Sequence, residues 1–168
     1  MNLIRGFKRE VWATDWRICL LIGLCACLLC GGVLWLAGGA ATYRQICGDC
    51  IVPIPAAWLI CRQCTALLLG LALGIILGRQ SCCCVRGRIY GIVWWTVGYV
   101  AMLLWLLLFL SGKYEVLAVI LLAFSICALA IALDRFARES LLSATVLLVG
   151  ILWIMGSFGF VLRIILWN

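Results

Sequence analysis

Five long apolar runs, separated by short polar segments, dominate the pattern of the chain. They cover about residues 18–41, 56–78, 89–111, 116–133 and 140–167. Each run reaches or nearly reaches the roughly 20 residues that a helix needs to cross about 30 Å of hydrocarbon. The connections are too short to contain another domain. The pattern therefore predicts an all-α integral membrane protein, a single domain (1–168) built as a five-transmembrane-helix bundle.

The second run carries a small residue at every fourth position. Four residues is slightly more than one helical turn, so these residues share one face of the helix. In lipid such a face lets another helix backbone approach closely. We interpret the set as a helix-packing face, called here the small-residue ladder: Ala66, Gly70, Gly74 and Gly78.

Composition agrees with a membrane protein and excludes several function classes. The chain is 68% hydrophobic and 11% charged, whereas a soluble domain is about 45–50% apolar and about 25% charged. Histidine is absent and the six carboxylates lie outside the apolar runs or at their edges, which argues against a buried proton relay. The net charge of +7 reflects membrane topology and does not predict nucleic-acid binding.

Basic residues are distributed unevenly between the two sides of the membrane that five spans define. Nine lie on the N-terminal side and four on the other. The positive-inside rule then predicts a multi-pass protein of the cell membrane, with its N-terminus in the cytoplasm and its C-terminus outside. The nine are Arg5, Lys8, Arg9, Arg17, Arg79, Arg86, Arg88, Arg135 and Arg138, and the four are Arg44, Arg62, Lys113 and Arg163. Arg62 is near enough to the start of its span to snorkel outward.

Two CxxC pairs flank the start of the second span, and on this topology both face outside. They are Cys47-Gly-Asp-Cys50 and Cys61-Arg-Gln-Cys64. Structural disulfides or plain thiols are one interpretation. A redox-active pair is a second, and a tetrahedral zinc site with four thiolates is a third. The residues alone leave all three open.

Two tryptophans, Trp105 and Trp153, lie deep in their spans. A deep tryptophan either packs between helices or lines a cavity, and its N–H requires a partner. A cavity of this kind would bind a flat aromatic ligand by stacking.

The combination of five spans, many tryptophans, a proline-containing loop after the first span and a terminal Trp-Asn resembles the TspO/MBR family of tryptophan-rich sensory proteins. The family's loop has the form W-Y-x-x-L-x-K-P-x-W-x-P-P, followed by W-x-F-x-x-x-W-x-x-x-Y-x-x-x-G-x-A. Residues of this chain that fall on motif positions without a gap are Tyr43, Ile46, Pro53, Trp58, Gly70 and Ala72. In the third span, residues 102–109 resemble L-N-x-x-W-x-x-L-F-F. In the fifth, Trp153 and Asn168 match P-Y-x-x-W and the asparagine fifteen residues later.

Several family positions are altered in this chain. The Lys-Pro pair is Gly48-Asp49, and the loop tryptophan is Ile51. Further departures are Ala56 and Arg62 for tryptophans, Ala66 for a tyrosine, Met102 and Val161 for asparagines, and Val149-Gly150 for Pro-Tyr.

The resemblance implies a non-enzymatic five-helix bundle, often a homodimer, that senses or transports a hydrophobic ligand. The ligand would be a porphyrin or another tetrapyrrole, bound in a pocket that opens toward the loop 43–55. Arg44 or Arg62 near the entrance would pair with a propionate carboxylate. The residues that fall on pocket positions are Tyr43, Trp58, Trp105 and Trp153.

An alternative hypothesis is an enzyme, a quinone-linked membrane thiol–disulfide oxidoreductase. Cys61 and Cys64 would be the working pair, because a helix start and the adjacent Arg62 both favour a thiolate. Cys47 and Cys50 would be the shuttle pair.

Overall fold

A computed structural model describes Val11 and residues 14–38, 55–79, 85–111 and 115–167, with side chains described at Val11, 14–38, 57–79, 86–111 and 116–159. It contains five long helices in these segments. Each includes a stretch long and apolar enough to cross a membrane. The predicted all-α five-helix membrane bundle is therefore confirmed, and the chain is a multi-pass membrane protein. The helices are α1 (Trp16–Leu36), α2 (Pro55–Gly78), α3 (Val85–Ser111), α4 (Glu115–Glu139) and α5 (Leu141–Trp167).

The helix ends differ from the predicted spans where polar residues continue or end a helix. α4 continues through residues 134–139, where the pattern predicted a polar segment between two spans, and Arg138 pairs with Asp134 one turn earlier at 3.1 Å. α1 ends at Leu36, five residues before the predicted limit. Gly38 then adopts a φ of 81°, a left-handed conformation that suits glycine at a helix end. Hydropathy marks the part of a helix in hydrocarbon, and these helix ends are set by local backbone chemistry instead.

The bundle consists of two antiparallel helix pairs joined by α5. α1 packs along α2, and α3 packs along α4. α5 packs against both α4 and α2, whereas α3 makes only slight contact with α1 and α2. α2 is the most enclosed of the five helices. It packs against both α1 and α5.

The small-residue ladder of α2 faces α1 at backbone contact distance. A Cβ atom at Gly74 would lie 2.5 Å from the Cα of Cys19, and one at Gly70 would lie 2.8 Å from the Cα of Gly23. A Cβ at Gly78 would lie 3.0 Å from the Asp15 carbonyl oxygen, and Ala66 is fully buried. From Gly70 to Gly78, about two turns of α2, the two backbones therefore approach to a separation that glycine permits.

Buried polar side chains connect the helices by donating to backbone carbonyls of neighbours. In hydrocarbon each such donor needs a partner, and a bond of this kind contributes about 0.6 kcal/mol on average. The four bonds run from Tyr99 Oη to Ala26 O (2.6 Å), Trp95 Nε1 to Leu69 O (3.1 Å), Ser125 Oγ to Gly98 O (2.8 Å) and Ser143 Oγ to Ala72 O (2.7 Å).

Arginines gather where α1, α3 and α5 begin and where α2 and α4 end. We call this the arginine end of the bundle. Arg88 donates to the carbonyls of Leu77 and Arg79, at 3.1 and 3.2 Å, and Arg79 donates to the carbonyl of Glu139. These guanidinium groups satisfy carbonyls at the C-terminal ends of α2 and α4, which have no partner within their own helices.

The ladder contact predicts unequal effects of two chemically identical substitutions. Gly74→Ala and Gly32→Ala both gain helix propensity, but only the first forces a methyl group against a neighbouring backbone. A Cβ at Gly32 meets nothing within 4 Å. We expect Gly74→Ala to destabilise the detergent-purified protein by about 1–3 kcal/mol, read as a lower Tm. Gly32→Ala should match or exceed the wild-type Tm. Equal Tm values for the two variants would contradict the packing account.

Candidate ligand-binding groove

A groove of about 270 Å³ lies between α2 and α5. Three residues that the sequence predicted to bind a ligand, Trp58, Arg62 and Trp153, line it together. The full lining is Ala57, Trp58, Cys61, Arg62, Leu152, Trp153, Gly156 and Ser157. The wall is mostly apolar, with one cation, one thiol and one hydroxyl, which is the usual make-up of a small-molecule site.

Arg62 is buried within the bundle, where it was expected to snorkel outward. It is 4% exposed, although it lies only about 10 Å along α2 from the first residue of the helix. Its guanidinium carbon lies 4.4 Å from the ring centroid of Trp105 and 5.4 Å from that of Trp58. The two indole faces attract the cation and so keep it inside.

The free energy of burying Arg62 can be compared with the free energy of its contacts with Trp58 and Trp105. An arginine at the centre of a transmembrane helix costs about 2.5–3.5 kcal/mol on insertion scales. A desolvated cation–π contact contributes about 2 kcal/mol. Two such contacts together contribute about 4 kcal/mol, which is enough to offset that cost, so Arg62 can stay buried because Trp58 and Trp105 are both present.

Trp105 lies behind the groove and does not line it. Its side chain is completely buried, and its ring stacks on Phe109 at 5.7 Å with 26° between the planes. Its Nε1 is also buried and donates no hydrogen bond within the part of the chain that the structure describes. The contact of Trp105 with Arg62 therefore uses the ring face, and a groove ligand would stack on Trp58 and Trp153 instead.

α5 supplies the opposite wall through residues that share one helical face. Trp153 is half exposed, and Gly156 and Ser157 follow it by three and four positions. The Ser157 hydroxyl donates to the Trp153 carbonyl at 3.0 Å. A Cβ added at Gly156 would meet nothing within 4 Å. The absence of a side chain at Gly156 therefore leaves open space in the groove.

Cys61 lines this groove, whereas Cys64 is exposed one turn further along α2. Both are thiols in the structure. Cys47 and Cys50, the other members of the predicted zinc or disulfide set, lie outside the described residues, as do Tyr43 and Arg44. Within the described ranges no group of three or more cysteine or acidic side chains could hold a metal ion.

Gln63, next to Arg62 in sequence, faces a different helix. In the side-chain orientation that places its amide nitrogen at the Cys27 carbonyl, Gln63 donates to that carbonyl at 3.0 Å. Its amide oxygen then accepts from the Gly31 N–H at 3.2 Å. It borders a more open groove of about 480 Å³ beside Gly32 and Trp35 on α1. The two polar residues of the CxxC segment therefore act separately, Gln63 between α1 and α2, and Arg62 at the α2–α5 groove.

Gly156 and Ser157 were not among the residues that the sequence predicted for the site. The sequence does indicate that they lie near Trp153, because residues three and four positions after it share its helical face. That spacing identifies the face of α5, but it does not reveal that α2 faces it, since the pairing of helices depends on the whole bundle.

Comparison of the chain with protein-family models, with curated proteins and with solved structures gave no match. The resemblance to the TspO/MBR family therefore stays a prediction based on motif positions.

Proposed function

We propose that this chain is a TspO-like membrane protein that binds a hydrophobic ligand carrying an acidic group, and that the ligand is a porphyrin or another tetrapyrrole. The observation that carries the proposal is the buried cation of Arg62 on the wall of a groove flanked by two tryptophans. A charge kept inside a membrane protein marks a functional site more often than a structural one.

The chemistry of the groove fits the two parts of such a ligand. Trp58 and Trp153 offer ring faces to a flat conjugated system, and the Arg62 guanidinium pairs with a carboxylate through charge-assisted hydrogen bonds. The volume of about 270 Å³ is slightly below the range of about 300–1,000 Å³ typical of ligand pockets. A tetrapyrrole would therefore bind with one edge in the groove and the rest of its ring against lipid.

The role that follows is sensing or transport of the ligand, without chemical change to it. The basic residues of the arginine end favour a cytoplasmic position for that end. In the cell membrane the N-terminus would then lie in the cytoplasm and the groove would lie toward the outer half of the bilayer. A homodimer is part of the same prediction.

A second candidate is the thiol–disulfide oxidoreductase, which is supported by Cys61 lining the same groove as Arg62. In that case Cys61 and Cys64 would cycle between dithiol and disulfide, passing two electrons and two protons to a quinone. Alkylation of the membrane-embedded protein with and without reductant, followed by mass measurement, decides the matter. The oxidoreductase predicts a reducible pair at Cys61 and Cys64, and the binding protein predicts alkylation of both without reductant.

The ligand-binding proposal predicts saturable quenching of tryptophan fluorescence when purified protein is titrated with protoporphyrin IX. Trp153→Leu removes one stacking face, so we expect binding about threefold to tenfold weaker than wild type. Trp35→Leu is the matched control, because Trp35 is also exposed but lies on α1 away from the groove. Its Kd should equal that of wild type. Quenching that does not saturate, or equal Kd values for both variants, would refute the proposal.

A further inference from the structure

We infer that Trp105 is a positioning residue, which holds the Arg62 guanidinium at the groove and thereby makes the groove select ligands that carry an acidic group. The inference rests on the proposed function. It assigns to Trp105 a role that involves no contact with the ligand.

The first step is that the Arg62 side chain is long enough to extend toward the membrane surface instead of into the bundle. It lies about two turns from the start of α2, and a long arginine side chain at such a depth ordinarily extends toward the membrane surface. Its charge is nevertheless 4% exposed and directed inward. Something in the bundle must therefore favour the inward conformation.

The second step is that Trp105 makes the closer of the two aromatic contacts. Its ring centroid is 4.4 Å from the guanidinium carbon, against 5.4 Å for Trp58. Trp58 lies one turn before Arg62 on the same helix and is itself part of the groove wall. Trp105 belongs to α3, which otherwise contacts α2 only slightly. The cation is thus held from behind by a different helix.

The third step is that Trp105 is itself fixed. It is fully buried and stacks on Phe109 of its own helix. Since its Nε1 donates no hydrogen bond within the described residues, hydrogen bonding there does not account for a tryptophan at this position. Its ring instead contacts Phe109 and the Arg62 guanidinium.

A guanidinium that is already in place pairs with an acidic group without first being reordered. If the tryptophan face is removed, Arg62 is released toward the membrane surface. The groove then keeps its apolar walls but loses its cation. Affinity for an acidic ligand should fall, and affinity for the neutral analogue of the same shape should not.

The experiment compares protoporphyrin IX with its dimethyl ester on full-length protein in detergent, using wild type, Trp105→Leu, Trp105→Phe and Arg62→Gln. We expect wild type to bind the acid about tenfold more tightly than the ester. Trp105→Leu should lose this preference because the acid binds more weakly, as Arg62→Gln also should. Trp105→Phe, which keeps a ring face, should restore most of the preference.

Each result decides between defined alternatives. If Trp105→Leu keeps the full acid preference, or loses affinity for acid and ester equally, the positioning role is wrong and the ligand-binding proposal stands. If wild type binds neither compound, the proposed function itself is wrong. A preference that is lost in Arg62→Gln and Trp105→Leu but kept in Trp105→Phe supports the positioning role.

Discussion

Close approach of helix backbones is the constraint on which this bundle depends. Lipid tails are as apolar as leucine side chains, so helices in a membrane gain little from burying leucines against one another. They gain from dense packing, and the ladder of α2 allows it by bringing the Gly74 backbone against Cys19. Elsewhere a glycine makes room for a leucine of the neighbouring helix, Gly98 of α3 for Leu129 of α4 and Gly150 of α5 for Leu69 of α2. Glycines therefore lie at the contacts of α1 with α2, α3 with α4 and α2 with α5.

The position of α2 links this packing to the groove. One of its faces is committed to α1 by the ladder, which leaves the face bearing Trp58 and Arg62 for the interior and for α5. Ser143 fixes α5 against α2 by donating to the Ala72 carbonyl at 2.7 Å. Further along α5, at Gly156, there is no side chain, and the two helices leave the space that becomes the groove. The site is thus a gap between two helices that are held firmly elsewhere.

Local features of this protein follow from its sequence, and relations between helices follow only from the fold. Apolar runs identify five spans because transfer into lipid depends on composition. A small residue at every fourth position marks the ladder because the helical period is fixed. The family resemblance, and not the helical period, names Trp58, Arg62, Trp105 and Trp153 as ligand-binding residues, while the position of Arg62 near the start of its span predicts that it reaches outward. The structure turns Arg62 inward because Trp105, 43 positions later in the chain, presents its ring there. A local sequence pattern cannot predict this contact between Arg62 and Trp105, because the two residues are far apart in the chain. Hydropathy also does not predict the helical extension at 134–139, because charged residues outside the hydrocarbon can still form helix.

If the α2–α5 groove, and not another surface, binds the ligand, occupying the groove should weaken that binding. The most direct test fills the groove without disturbing a packed contact. A Cβ meets no atom within 4 Å at either Gly156 or Gly32, so a side chain at each position begins in open space. Only Gly156→Leu occupies the groove. We expect this variant to bind protoporphyrin IX at least about tenfold more weakly than wild type, while Gly32→Leu binds it with the wild-type Kd. Wild-type affinity in Gly156→Leu would contradict the account.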